Sequence, residues 1–114
     1  MDRIAFFREA IANTMKDYEA ERTHSQSFIG LDFEQIFDVH HNRFQLVLIG
    51  WKEDERIYHL IFHLDIIDDK IWIQEDNTED GVALLLEAQG VNKKDMVLAF
   101  YPAYHRVHTE YAVA

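Results

Sequence analysis

The residues with the most chemical capacity are seven histidines and 21 carboxylates, in a chain with no cysteine. Spacing removes most of the ways they could cooperate. His40 and His41 are adjacent in an extended stretch and point to opposite faces, while His59 and His63 would stand about 13 Å apart along one strand face. Neither pair alone can hold an ion. His63 and Asp65 share a face two residues apart, and Asp76 falls diagonal to His63 if the intervening hairpin closes at Asp68-Asp69. A metal-dependent hydrolase would therefore use His63, Asp65 and Asp76, although the chain lacks the dense ligand motif of zinc sites. His105 and His108 would come together only on a helix, which Pro102 and its neighbours argue against. Asp68-Asp69 and Glu79-Asp80 read as turn and cap residues rather than acid–base pairs. No nucleophile stands beside a base, and the four glycines are scattered at 30, 50, 81 and 90 instead of forming a phosphate loop. The expectation is no enzyme, no metal and no cofactor.

Charge narrows the partners. The net charge of −10 carries no basic cluster, and basic residues do not interleave with aromatics along a strand, so nucleic acid is expected only indirectly. A protein partner is easier to accommodate, although acidity also keeps a small domain soluble. The charged start excludes a signal peptide and no run is long enough to span a membrane, so a cytoplasmic location is expected. The absence of cysteine permits a reducing compartment.

The elements that position these residues are legible as one α+β domain, residues 1–114. It has an antiparallel sheet of about five strands, an N-terminal helix and a second helix after the fourth strand. Asp2 caps a helix over residues 3–21 whose Ile4, Phe7, Ile11, Met15 and Tyr18 fall on one face. Residues 22–33 read as an unusually apolar connecting loop, expected to pack over a sheet edge or a core end. Strands follow at 34–41 and 43–51, with Asn42 near their turn, and then at 56–67 and 70–76. Their register would set Ile67 opposite Lys70, Ile66 opposite Ile71, Asp65 opposite Trp72 and His63 opposite Gln74. Leu60, Phe62, Leu64, Ile66, Ile71 and Ile73 then make an apolar wall, and His59, Ile61, His63, Asp65, Trp72 and Gln74 a mixed face. Asn77 can take the positive φ of a turn, and Thr78 with Glu79 and Asp80 opens the second helix. Gly90 closes it in a Schellman turn that brings Val91 onto Leu86. A fifth strand spans 96–100, and the aromatic tail 101–114 is expected to dock.

The mixed face combines Trp72, Ile61, His63 and Asp65, with Trp51 as a further ring, which is the composition of a protein-binding hot spot. Its alternatives are a cover supplied by the tail or the first helix, and a homodimer formed through the same face.

Further residues resemble a known family. His63-Leu64-Asp65-Ile66, Lys70-Ile71-Trp72-Ile73-Gln74, Asp76, Thr78-Glu79 and Gly81-Val82-Ala83 are similar to the signature of the XisI-like proteins, the fdxN element excision controlling factors. Gly90-Val91, the run from Lys94 to Phe100, Pro102, Arg106, Thr109 and Ala112-Val113-Ala114 continue it, with Gly50-Trp51 and Arg56 upstream. The chain departs at Glu75-Asp76-Asn77, where the family has Gln-Asp-Gly, and in a less basic stretch from His105 to His108, which weakens the case for DNA contact by the tail. The resemblance implies a non-enzymatic accessory factor that works with a site-specific recombinase and a companion, XisH, in excising a DNA element. The partner-binding residues expected are Trp51, His63, Asp65, Trp72, Gln74, Asp76 and Arg106.

Overall fold

Apolar residues at helical spacing in the first twenty positions and at alternate positions in the strands meet across one core in the computed structural model, which describes residues 2–114. Helix α1 (Arg3–Arg22) begins where the Asp2 carboxylate accepts the Ala5 N–H at 2.8 Å. Its Phe7, Ile11, Met15 and Tyr18 are buried, each such side chain contributing about 1.5–3 kcal/mol of burial. Ile4 lies at the margin of this core.

The sheet runs in the order β1 (Leu31–Asp38), β2 (Arg43–Lys52), β3 (Glu55–Ile67), β4 (Lys70–Asp76), β5 (Met96–Leu98). Strand β1 starts three residues before the predicted 34–41 and also ends earlier. Gly30, at φ +83°, turns the chain into the edge so that Leu31 and Phe33 pair with Gly50 and Leu48. The first four strands are antiparallel, but β5 is parallel to β4 and shorter than the predicted 96–100. Helix α2 (Val82–Ala88) carries the chain back across the sheet, so the next strand runs in the same direction as β4.

Asp68 and Asp69 both have positive φ, +50° and +61°, the geometry of a type I′ turn. The predicted register holds through Ile67–Lys70, Ile66–Ile71 and Asp65–Trp72, then slips: Leu64 faces Ile73, but His63 faces Glu75 rather than Gln74. A second slip against β2 leaves Ile61 without a partner between Phe62 and Leu60. These two bulges redistribute the predicted faces. Ile61 joins the core, Leu60 turns outward beside Val47, and His59 pairs with Leu48, which sets it on the face opposite His63. Asn77 stitches the bulge through its N–H to the Ile61 carbonyl and its side-chain amide to the Leu60 carbonyl, both at 2.8 Å. It does not take the positive φ expected of it; Gly81 does, at +94°.

Helices α1 and α2 cover one sheet face, with Tyr18 edge-on to Phe62 at 6.3 Å. Gly90 donates to Glu87 and Val91 to Leu86, the predicted Schellman closure. The tail forms one helical turn, α3 (Ala103–Arg106), directly after Pro102. This corrects the sequence argument, because proline lacks an N–H that the start of a helix leaves unpaired in any case. Here the His105 ring stacks on Tyr101 at 4.2 Å. No helix among the described residues is long and apolar enough to cross a membrane.

Candidate functional site on the open sheet face

Strand alternation sends His63 and Asp65 to the face away from the helices, and the hairpin register sets Trp72 beside Asp65. His63 Nε2–H donates to Asp65 Oδ1 at 2.9 Å, and the Gln74 amide donates to Asp65 Oδ2 at 3.2 Å. On the other side, Gln45 Nε2 donates to His63 Nδ1 at 3.3 Å. Because the Asp65 carboxylate only accepts, its contact fixes a proton on His63 Nε2 and, with Gln45, holds the ring orientation. The side chains of His63 and Asp65 are 24% and 13% exposed, so the pair is held at the surface but not free in solvent.

Arg106 reaches back over this face from α3. Its guanidinium carbon lies 5.4 Å from the Trp72 ring centroid, and its nitrogens donate to the carbonyls of Leu98, Tyr101, Ala99 and Val113. Ala112 bridges to Val97 and donates to the Met96 carbonyl at 2.9 Å. The tail thus docks, as expected, and it roofs the Trp72–Val97 end of the face. The Trp72 indole N–H is buried there without a hydrogen-bond partner among the described residues. On the β1 side, a hollow of about 180 Å3 is lined by Ile36, Asp38, Arg43, Gln45 and His63.

Five of the seven predicted site residues come together: His63, Asp65, Trp72, Gln74 and Arg106. Trp51 does not. It is 56% exposed near the far end of β2, under Arg56, and six residues from Gln45, roughly 20 Å along the strand. Asp76 is also elsewhere, because the bulge pairs it with core residue Phe62. Its Oδ1 accepts from the Thr78 N–H and hydroxyl, and its Oδ2 from the Val82 N–H. Thr78, predicted as the N-cap, instead accepts the Gly81 N–H, and α2 begins at Val82.

The metal-hydrolase alternative loses its third ligand through that placement. Both His63 nitrogens and both Asp65 oxygens are also engaged in hydrogen bonds. No group of three His, Asp or Glu side chains able to hold an ion occurs among the described residues. Gln45 and Arg43 were missed from the sequence, although Arg43 faces Asp65 and Gln45 faces His63 in the ladder. Fixing the register of β2 against β3 would have found them, but that register contains a bulge no local pattern announces.

Fold and site define a small α+β domain with a one-sided sheet, helices filling one face and a braced polar group on the other. The chain belongs to the XisI family, whose model, described as XisI protein, matches residues 1–113. It is similar to an XisI-like protein from Anabaena variabilis ATCC 29413, at 31% identity and a TM-score of 0.84 over 97% of this chain and 99% of that one. It is also similar to the fdxN element excision controlling factor XisI of the same organism, at 27% identity and a TM-score of 0.77, covering 99% and 100% of the two chains. No curated protein matches the sequence.

Proposed function

We propose that this chain is an accessory factor controlling the excision of a DNA element, acting by holding proteins of the recombination system and performing no chemistry itself. Membership of the XisI family, and the name of the similar excision controlling factor, support the process. The observation that carries the mode of action is the His63–Asp65 pair, braced by Gln45 and Gln74 on a sheet face that the tail only partly roofs. Preorganised polar groups bordered by Trp72 bind at low ordering cost. The net charge of −10 opposes direct phosphate contact. The partners are a companion of the XisH kind and, through it, the recombinase.

Titration of a purified XisH-like companion by calorimetry tests this. Combined His63→Ala and Gln74→Ala substitution leaves the circular dichroism spectrum intact and weakens binding by about tenfold or more, which corresponds to roughly 1.4 kcal/mol. Unchanged affinity removes this face from the interface. A tight gel shift with element DNA alone that resists salt overturns the indirect mode.

A further inference from the structure

We propose that the outer edge of β1 is a strand-addition site for an extended basic segment of a protein partner. This rests on the reading that the chain works by holding another protein. It concerns the sheet edge, beyond the braced polar group.

Strand β1 ends the sheet, bonded on one side to β2. The opposite end differs, since the tail lies against β5 through Ala112. Trp51 N–H donates to the Gly30 carbonyl, and the alternation of an antiparallel ladder then directs the N–H and C=O groups of Leu31, Phe33, Gln35 and Phe37 outward. No other segment among the described residues bonds to them. Glu34, Gln35, Ile36 and Phe37 are exposed in a row, so both faces are open beside that edge. Proline and lysine, two of the devices that blunt an edge, are absent from LDFEQIFD, and the charges it carries are all acidic.

Charge decides the occupant. Asp32, Glu34 and Asp38 share the open face with Ile36, while Leu31, Phe33 and Phe37 point to the helix side. A second copy fits poorly. Pairing the strand antiparallel with itself about Gln35 sets Asp32 against Asp38, about Ile36 sets Glu34 against Asp38, and about Glu34 sets that residue against itself. A strand with Lys or Arg at alternate positions answers the acids, and its intervening apolar residues extend the surface of Phe33 and Phe37. The hollow beside Ile36 takes one of its side chains, and a pocket for alternate side chains is what gives strand addition its specificity.

The test titrates an eight-residue peptide of alternating lysine and valine into the 15N-labelled full chain. At a peptide concentration ten times Kd, exchange of the Leu31, Phe33, Gln35 and Phe37 amides slows by about tenfold. A glutamate–valine peptide gives no slowing, and neither does a lysine–proline peptide, which keeps the charge but lacks alternate N–H groups. Gln35→Pro removes one outward N–H at an edge position that tolerates it and abolishes the protection, while Gln35→Ala retains it. The proposal falls if the β1 amides are unaffected, if the lysine–proline peptide protects them equally, or if they are protected without peptide and lose protection on dilution, which would mean a second copy occupies the edge. Because the companion is absent, peptide binding that persists while companion binding fails leaves this site standing and removes the functional reading alone.

Discussion

The Asp76 carboxylate accepts the backbone N–H of Val82, six residues further on, at 2.9 Å. With Thr78 on its other oxygen, one side chain ties the end of β4 to the start of α2. Helix α2 has no other side-chain cap, since its N-cap is Gly81. Asp76→Ala is expected to lower stability by about 1–3 kcal/mol, read from urea midpoints, with Asp76→Asn retaining part of it. Companion binding should fall no further than unfolding explains. A wild-type midpoint for Asp76→Ala would show that the cap does not hold α2.

Arg106, one of the residues expected to bind a partner, ties the tail to the end of the sheet. Its bonds to the Tyr101 carbonyl at 3.0 Å and to the Leu98 and Val113 carbonyls at 3.3 Å need a planar fork, which lysine lacks. Arg106→Lys should cost about 1–3 kcal/mol. In a Trp51→Phe background, it should also move the remaining emission, that of Trp72, to longer wavelength as the roof lifts. Emission unchanged by Arg106→Lys would show that the guanidinium does not seal the indole.

These two residues show what the sequence carries and what it withholds. Local physics was legible: the Asp2 cap, the stripe of α1, the Asp68-Asp69 turn and the Gly90 closure each follow from residues adjacent in the chain. The faces of β3 were less so. An ideal pleat keeps one parity along each strand, but the slip at Ile61 reverses it in β3 and the slip at Gln74 reverses it in β4, and both depend on which residue of a neighbouring strand arrives opposite. Hence His59, Leu60, Ile61 and Asp76 were placed on the wrong faces, whereas His63, Asp65 and Trp72, nearer the turn, were placed correctly. Asp76 drew attention as a carboxylate near a histidine, and its actual use lies six residues downstream.

At Gly50, β2 passes close against the backbone that leads into β1. A Cβ at this position would overlap the Gly30 carbonyl oxygen, and the backbone sits at φ +148°. The obstruction is main chain on an edge strand, so it yields only if β1 moves. Gly50→Ala should therefore destabilise the domain by about 1–3 kcal/mol and speed amide exchange in β1 more than in β4. Uniform exchange across the sheet would argue against a clash localised at the edge.

The tail has a second anchor, whose pH dependence is defined by Lys93 and Glu110. The Lys93 ammonium donates to Glu110 at 2.9 Å, and this hydrogen bond, with the attraction of the opposite charges, lowers the Glu110 pKa and raises that of Lys93. A lowered carboxyl pKa contributes stability that is present above the ordinary glutamate value and lost as pH falls through the lowered one. A raised ammonium pKa contributes stability that is present below the ordinary lysine value and lost as pH rises through the raised one. The anchor is therefore complete between the two ordinary values and weakens on either side. Both groups are solvated, so the effect belongs to the tail rather than to global stability. By carboxyl 13C NMR, Glu110 should titrate below the ordinary glutamate value, with the Ala112 amide shift following the same acid-side curve. Lys93→Met should return the Glu110 midpoint upward and remove that step from Ala112. A Glu110 midpoint indifferent to Lys93→Met would mean that this pair does not hold the tail.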